Sequence, residues 1–436
     1  MLLSWSFFLF ALSWLYGALN ALFPVRNWRL FVIPSWIFGW LVGEAPLHWL
    51  VGELAVTGLF LSEGPFRRSI GWVGLGMAFV AWGILIFLYK KGEDAARVFD
   101  EVLSTSLTPG YRQNSREGIE LNALLPRSRL FAPWWYGHSG VRRIKNLSYA
   151  SGGRRQRLDV YLPNGDVKNA PVLMQIHGGF WSIGHKAQQG QPLLYHMAAR
   201  GWVCVSINYS LSPWKRWPAQ LLDAKRALIW VKRHIAEYGG DPDFIVCTGG
   251  SAGGHITSLL ALTANDPRFQ PDATDADTSV QAAVPFHGLY DLCNSEQQHR
   301  HGGLRMLLEW IVMGQSYKKG AELFRMASPV THIHDAAPPF LIVHGSHDSL
   351  ACVEEARLFQ RRLKAVSKAP VVYAELPYAQ HAFETFHSPR TTHVVRATHH
   401  FCEVIYGQHL TERSTAASLA AEPEMPVSSS DRNERT

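Results

Sequence analysis

Long uncharged segments dominate the first 90 residues of the chain. Residues 4–23 and 70–89 contain no charged side chain, and each is about 20 residues long, the length that a helix needs to cross the hydrocarbon of a bilayer. Residues 30–62 are also apolar, but prolines and acidic residues interrupt them, so they form one broken span or two short ones. Residues 1–90 are therefore predicted to be a transmembrane anchor of three or four helical spans.

The membrane side of the rest of the chain depends on the number of spans. A signal peptide is the alternative for the first segment, but no basic residue precedes its apolar run, and later apolar segments would remain after cleavage. The cations that flank the segments are Arg26, Arg29, Arg67, Arg68, Lys90 and Lys91. The preference of cations for the cytoplasmic face makes the large domain external with four spans and cytoplasmic with three. We expect a multi-pass protein of the bacterial inner membrane and leave the side open.

From residue 143 onward, short apolar runs alternate with amphipathic stretches. Strands are predicted at 158–164, 170–179, 202–209, 243–249, 280–288, 338–345 and 370–377, and helices at 218–239, 252–264, 352–366 and 389–407. Continuous apolar strands that alternate with helices are typical of a mostly parallel sheet with helices on both faces. The predicted fold class is therefore α/β, with the sheet domain over 143–408.

Two flanking segments are predicted to lie outside this domain. Residues 91–142 form a linker with a candidate cap helix, in which Ala95, Val98, Phe99, Val102 and Leu103 lie on one side. Residues 409–436 are polar, contain proline and serine and show no periodicity. Such composition favours a disordered tail.

A dense group of glycines surrounds Ser251. The pattern from Gly249 to Gly253 is G-x-S-x-G, and it lies between a predicted strand and a predicted helix. A sharp strand-to-helix turn of this kind holds its serine in a strained conformation and exposes the hydroxyl above the sheet. The backbone N–H of Ala252, at the start of the helix, is then able to bind an oxyanion. Ser251 is the predicted nucleophile.

Serine at its ordinary pKa needs a base, and the base needs an orienting carboxylate. Asp348 follows the strand at 338–345, and His381 lies in the loop after the next strand. The order Ser, Asp, His is that of α/β-hydrolases. The alternatives are a turn acid for Asp348, a surface-loop histidine for His381, and His347 as a rival base.

Small residues also follow the strand that ends near residue 176. The segment "QIHGGFW" brings backbone N–H groups to the carboxyl end of the sheet, where active sites of such folds form. Gly178 and Gly179 are predicted to donate to an oxyanion together with Ala252. Phe180 and Trp181 are predicted to contact substrate.

Composition narrows the partners. The net charge is +7 and the pI is about 9.1, but no dense basic run is interleaved with aromatic residues. We therefore expect a basic surface close to phospholipid and no binding of nucleic acid. The five cysteines are widely spaced without a C-x-x-C pair, which argues against a zinc or redox site. No metal or organic cofactor is predicted, and the oligomeric state and disulfide status stay open.

Four motifs in order resemble a known family. "HGGFW", "GGDPDFIVCTGGSAGGH", "HGSHD" and "QHAF" are similar to the hormone-sensitive-lipase-like branch of the α/β-hydrolases, and the similarity covers about residues 140–407. It points to a membrane-anchored bacterial carboxylesterase or lipase. The resemblance implies nucleophile Ser251, acid Asp348, base His381, and oxyanion donors Gly178, Gly179 and Ala252.

The chain departs from the family pattern at two positions. Phe180 takes the place of the usual third glycine, and Gly250 takes the place of the commoner aspartate before the serine. The Phe180 variant resembles kynurenine formamidase and feruloyl-esterase-like proteins. The expected activity is hydrolysis of acyl esters through an acyl-enzyme. The alternatives are an amidase or arylformamidase on the same residues, an acyltransferase, and a non-catalytic membrane scaffold.

Overall fold

The computed structural model describes residues 1–26, 30–107, 131–298 and 302–421. These residues form an N-terminal group of apolar helices and a sheet domain. Arg29, part of the predicted linker (residues 108–130) and the last residues of the predicted tail (422–436) lie outside the described residues.

One eight-stranded sheet organises the described part of the domain. Its strands are β1 (Val141–Ser148), β2 (Arg157–Pro163), β3 (Ala170–Ile176), β4 (Val203–Ile207), β5 (Gly240–Gly250), β6 (Ala282–Phe286), β7 (Phe340–Gly345) and β8 (Val371–Leu376). The strand order is β1-β2-β4-β3-β5-β6-β7-β8. The pairs β1–β2 and β2–β4 are antiparallel, and the remaining neighbours are parallel. The predicted α/β class with a mostly parallel sheet is confirmed, whereas β1 was not predicted.

Both faces of the sheet are buried. In β3, Val172, Met174 and Ile176 belong to one apolar cluster, while Leu173 belongs to the cluster on the opposite face. Side chains alternate between the faces of a strand, so a strand covered on both sides must be apolar throughout. This explains why the central strands read as continuous apolar runs in the sequence.

Helices cover these two faces. They are α6 (Gln191–Ala198), α7 (Ala219–His234), α8 (Ala252–Leu262), α9 (Gly302–Met306, continued by a π-helix over Leu307–Met313), α10 (Tyr317–Met326), α11 (Val353–Val366) and α12 (Pro389–Ala421). Helix α12 extends well past residue 409, so the first part of the segment predicted to be disordered is helical. Its earlier turns pack Val394, Phe401 and Tyr406 against the sheet. The later turns extend this helix and therefore need no separate nucleation.

Within the described residues, five α-helices precede the sheet domain. They are α1 (Leu2–Leu22), α2 (Val32–Glu44), α3 (Pro46–Glu63), α4 (Ser69–Glu93) and α5 (Ala95–Ser106). By length and apolar composition, α1 and the segment from α4 through α5 are each able to cross a membrane, and the α2–α3 pair, bent by 89°, makes a third candidate. The predicted apolar side of α5 is confirmed, because Ala95, Phe99 and Leu103 are buried in the core of the sheet domain.

A buried ion pair joins the two parts of the chain. The Glu44 carboxylate at the end of α2 accepts hydrogen bonds from the Arg390 guanidinium and, at 2.8 Å, from Ser388 Oγ. Both charged side chains are almost completely inaccessible to solvent.

Replacing Glu44 with glutamine is expected to destabilise the protein by about 3–5 kcal/mol, because it leaves the buried guanidinium of Arg390 without a counter-charge. The midpoint of thermal unfolding of the detergent-solubilised protein measures the effect. The double variant Glu44→Met/Arg390→Met removes both charges and is expected to recover most of the loss. Equal midpoints for Glu44→Gln and the wild type would show that the pair contributes no stability.

Candidate active site

Ser251 occupies a tight turn between β5 and α8. Its backbone has φ of 58° and ψ of −122°, a region that residues other than glycine rarely adopt. A side chain at Gly249 or Gly253 would collide with the carbonyl oxygen of Ile176 at the end of β3. The glycines therefore allow α8 to start directly against the sheet, and the serine is held at the carboxyl ends of the strands.

Ser251, His381 and Asp348 form a continuous hydrogen-bonded chain. His381 Nε2 lies 2.8 Å from Ser251 Oγ, and His381 Nδ1 lies 2.7 Å from Asp348 Oδ2. All three residues are buried, and Ser251 is 6% exposed. The structure thus brings together three residues that are distant in sequence, on the loops that follow β5, β7 and β8.

The Asp348 carboxylate is fixed on every side. Its Oδ1 accepts the backbone N–H groups of Leu350 at 2.9 Å and Ala351 at 2.8 Å. Its Oδ2 also lies 3.3 Å from Nε2 of His344. The carboxylate therefore has one orientation in which it accepts from His381.

The electrostatics of this chain favour an ionised aspartate and a neutral histidine. Burial alone raises the pKa of Asp348, but the charges and hydrogen bonds of His381 and His344 outweigh it and hold the pKa well below its usual range. Burial lowers the pKa of His381, although the nearby Asp348 charge acts in the opposite direction. A neutral imidazole beside an ionised carboxylate is the state that a general base requires.

The predicted oxyanion donors differ in their availability. The N–H of Ala252 opens α8, and the first N–H groups of a helix have no intrahelical acceptor. Gly179 has φ of 114°, and its N–H donates to no acceptor within the part of the chain that the structure describes. The N–H of Gly178 instead donates to Gln189 Oε1. Of the three predicted donors, those of Ala252 and Gly179 have no acceptor among the described residues.

Phe180 and Trp181 lie in different environments. Trp181 is 1% exposed and belongs to the main core cluster, where its indole N–H donates to His255 Nδ1 at 3.1 Å. Burial lowers the pKa of His255 to about 4, and its Nε2–H donates to Ala327 O at 2.7 Å. This burial argues against the predicted contact of Trp181 with substrate, whereas Phe180 is half-buried and remains a predicted contact.

A second histidine–carboxylate pair lies against His381. The ring of His287 is centred 4.3 Å from that of His381, and its Nε2 lies 2.7 Å from Glu384 Oε2. A Cβ at Gly250 would lie 2.5 Å from Glu384 Oε1 and 2.9 Å from His287 Cε1. His287 and Glu384 thus occupy the space that a side chain at position 250 would fill.

Helix α2 of the apolar N-terminal group covers the loop that carries His381. The Trp36 indole N–H donates to His381 O at 3.1 Å, and the Trp40 N–H donates to Ala382 O at 2.9 Å. The ring of Trp36 is centred 6.2 Å from His381 and 6.5 Å from Phe180. An element predicted only to anchor the chain therefore forms part of the surroundings of the site.

Sequence reasoning missed these neighbours for different reasons. His287 follows β6 and His344 is the last but one residue of β7, and this placement at the carboxyl ends of strands is a usable signal. Trp36 and Trp40 are spaced by four residues on one side of a helix, but the apolar context of this segment favours a membrane span instead.

One group of three among the described residues brings histidine and carboxylate atoms together, namely His287, Asp348 and His381, within 4.8 Å. Both ring nitrogens of His381 are already engaged by Asp348 and Ser251. We therefore assign no metal to this group.

A separate apolar cavity of about 400 Å³ lies at the bend between α2 and α3. Its walls include Pro46, Val51, Tyr89 and Phe131. Ser251, Asp348 and His381 are not among the residues that line it, so it is distinct from the hydrogen-bonded chain described above.

The sequence is similar to proteins of known family. Residues 158–363 match the family model described as BD-FAE. The chain is 43% identical to "Probable carboxylic ester hydrolase LipM" of Mycobacterium tuberculosis, over 90% of this chain and 92% of that protein. It is 39% identical to "Esterase LipQ" of the same organism, over 89% of each chain.

Solved structures agree on the architecture. Esterase B from Lactobacillus rhamnosis superposes with a TM-score of 0.51 at 17% identity, over 65% of this chain and 91% of that one. Esterase 2 of Thermogutta terrifontis superposes with a TM-score of 0.51 at 24% identity, over 60% and 93%. At such identities the similarity concerns the fold.

Proposed function

The chain belongs to the α/β-hydrolase carboxylic ester hydrolases related to LipM and LipQ, and from that premise we propose that it is a membrane-anchored serine esterase whose nucleophile is Ser251. The observation that carries the proposal is the hydrogen-bonded chain from Ser251 through His381 to Asp348. The motifs around Ser251 and His381 also support a place in the hormone-sensitive-lipase-like branch.

The mechanism follows from these contacts. His381 Nε2 takes the proton of Ser251 Oγ while that oxygen attacks the ester carbonyl, and Asp348 stabilises the imidazolium that forms. The N–H groups of Ala252 and Gly179 donate to the oxyanion. His381 then protonates the leaving alcohol, which gives an acyl-enzyme, and water activated by the same imidazole releases the acid.

Two assays on the full chain in detergent test this proposal. The protein should hydrolyse p-nitrophenyl butyrate, and an organophosphonate should modify Ser251 at one equivalent per chain, as measured by mass spectrometry of the peptide. An N-formyl anilide tested in parallel distinguishes an esterase from an amidase. Faster turnover of the anilide would favour an arylformamidase, and absence of Ser251 modification would contradict the proposed nucleophile.

The activity is expected to persist below pH 6.5, since burial lowers the pKa of His381 from that value. Only the neutral imidazole accepts the serine proton, so kcat/KM should fall as the pH drops through the lowered pKa and should stay level above it. A profile of kcat/KM against pH measures the midpoint, with tryptophan fluorescence as the control for acid unfolding. A midpoint above 6.5 in folded protein would contradict the effect of burial.

Gly250→Ala is expected to lower kcat about ten- to a hundredfold. The added Cβ displaces Glu384 and His287, which pack on His381, and a misplacement of about 1 Å costs up to about a hundredfold in rate. The matched control is Gly137→Ala, where the new Cβ makes only an ordinary 3.8 Å contact with Trp135. Unchanged kcat in Gly250→Ala would show that the pair tolerates displacement.

We further propose that α1, α3 and α4 span the membrane, while α2 lies at its surface. After α1, Arg26 donates to Ser346 O at 3.1 Å, and Glu93 at the end of α4 lies 3.1 Å from His393 Nε2. These ends therefore lie against the sheet domain.

The opposite ends of these helices lie together on the far side. Ser4 Oγ at the start of α1 donates at 2.7 Å to Pro65 O in the connection between α3 and α4. The 18 residues of α3 give a length of about 27 Å, close to the thickness of the hydrocarbon. A helix that starts beside the domain and ends beside Pro65 crosses the same distance as α1 and α4.

This arrangement favours a cytoplasmic sheet domain. Arg26, Lys90 and Lys91 share its side of the membrane, against Arg67 and Arg68 on the far side. Labelling with a membrane-impermeant maleimide tests the topology.

In intact cells, the cysteine of Ser62→Cys, which lies on the far side of the membrane, should react with the maleimide. The cysteine of Ser104→Cys, at an exposed position of α5, should react only after permeabilisation. The chain without either substitution is the control for labelling of its native cysteines. Reaction of both variants, or of Ser104→Cys alone, in intact cells would contradict the proposed topology.

A further inference from the structure

We propose that helix α2 forms one wall of the ester-binding site and that Trp36 contacts the acyl chain of a substrate that enters from the bilayer. The proposal rests on the proposed esterase function and adds the substrate class, which is an ester with a long apolar acyl chain.

Trp36 lies where an ester must bind. Its ring is within 6.2 Å of His381 and 6.5 Å of Phe180, centre to centre, and stands nearly perpendicular to both. His381 carries the proton of the reaction, and Phe180 follows directly on the oxyanion donor Gly179. An ester carbonyl between these two elements therefore brings its substituents close to the half-buried indole of Trp36.

The contact between α2 and the catalytic loop is specific. The two indole N–H groups of Trp36 and Trp40 donate to consecutive backbone carbonyls, those of His381 and Ala382. The Trp40 ring also packs on Phe386, with centroids 5.2 Å apart. Because hydrogen bonds are directional, these two contacts and the ring contact define the position of α2 against the His381 loop.

Another part of the surface of α2 is apolar and uncovered. Ile33, Ile37 and Phe38 are 42%, 39% and 49% exposed. The connection before α2 carries Arg26, and the last turn of α4 carries Lys90 and Lys91 on the same side of the molecule. Exposed apolar side chains next to basic residues are typical of a helix that lies in the interface of a bilayer.

The active-site wall and the lipid-facing surface are thus parts of one short helix. An ester whose acyl chain is dissolved in the bilayer reaches the site beside α2 without crossing water. Transfer of a methylene group from lipid to water is unfavourable, so a long acyl chain stays in contact with apolar surfaces along this route. A short, water-soluble ester gains little from the same wall.

Chain-length profiles of two Trp36 variants test the proposal. For p-nitrophenyl esters in mixed micelles, Trp36→Ala should lower kcat/KM for the palmitate at least tenfold more than for the butyrate. Trp36→Phe should retain most of the wild-type preference, since it keeps an aromatic surface. Trp72→Ala, in an exposed position at the start of α4, is the matched control and should change neither value.

Titration of Ser251 with an organophosphonate counts the competent sites in each preparation, so misfolded protein does not enter the rates. An equal loss for both esters in Trp36→Ala would overturn the proposal, because it would assign Trp36 only to holding the His381 loop. A wild type that hydrolyses neither ester and whose Ser251 stays unmodified would instead overturn the proposed esterase function itself.

Dilution of the substrate in the membrane gives a second readout. With the protein in phosphatidylcholine vesicles, added lipid at constant bulk ester lowers the mole fraction of the palmitate ester in the bilayer. The rate should fall in proportion if the substrate enters from the bilayer. A rate that follows the bulk concentration alone would exclude that route.

Discussion

Replacement of Ser251 by alanine is expected to lower kcat for ester hydrolysis by about a million-fold, the loss that removal of a serine nucleophile causes in other triad enzymes. The hydroxyl is the only group of the residue that forms a bond with substrate, so binding of ester is expected to persist. Hydrolysis of p-nitrophenyl butyrate by the detergent-solubilised chain measures the effect.

The matched control for this variant is Ser258→Ala. Ser258 lies two turns further along α8 and is buried, and its hydroxyl donates within the helix to Gly254 O at 2.9 Å. It has no contact with His381, so its loss should leave kcat near the wild-type value. Full activity in Ser251→Ala would contradict the assignment of the nucleophile, and equal inactivity of both variants would indicate a folding defect.

Replacement of Asp348 by asparagine is expected to lower kcat by about ten thousandfold. Asp348 Oδ1 accepts from two backbone N–H groups, so the amide oxygen of asparagine will stay there and its NH₂ group will face His381 Nδ1. A donor at that position forces the proton of the imidazole onto Nε2, which then no longer accepts from Ser251 Oγ. The geometry stays close to native while the tautomer is wrong.

His344→Gln separates this effect from a general disturbance of the loop. His344 Nε2 lies 3.3 Å from Oδ2 of the same carboxylate and 3.0 Å from Ala351 O. These contacts support Asp348, and we assign His344 no part in proton transfer. Glutamine keeps a donor there, so we expect at most a tenfold loss. An Asp348→Asn variant as active as His344→Gln would show that the carboxylate does not orient the base.

The contacts between the N-terminal helices and the active site change how truncations of this chain should be interpreted. Glu44, Trp36 and Trp40 hold the loop that contains His381 and the helix that follows it. Removal of the N-terminal helices is therefore expected to expose the active site and to leave Arg390 without its Glu44 partner, in addition to removing the proposed membrane anchor. The full chain is the appropriate material for measurements of specificity.

Local pattern in the sequence was sufficient for much of the sheet domain. Strands covered on both faces are largely apolar on both, so β3 to β7 stand out as predominantly apolar runs. The turn at Ser251 requires glycine where α8 approaches β3, so G-x-S-x-G marks it directly. The placement of Ser251, Asp348 and His381 after three parallel strands, β5, β7 and β8, then predicts that they meet at one edge of the sheet, since the carboxyl ends of parallel strands share that edge.

Tertiary structure alone decided the environment of Ser251, His381 and Asp348. Which N–H groups remain free depends on distant side chains, as Gln189 at Gly178 shows. Trp181 and Phe180 are adjacent aromatic residues in the sequence and both have a positive φ, yet Trp181 lies in the core and Phe180 is half-buried beside the site.

The role of α2 is the clearest case. Residues 32–44 carry no pattern that distinguishes a membrane span from a helix packed on a protein, because both require an apolar surface. Only the folded chain brings Trp36 and Trp40 within hydrogen-bonding distance of the His381 loop, more than 340 residues away. Local sequence thus determined the strands, the turn and the order of the reactive residues, whereas contacts between distant segments decided what surrounds them, since such contacts depend on the complete arrangement of the chain.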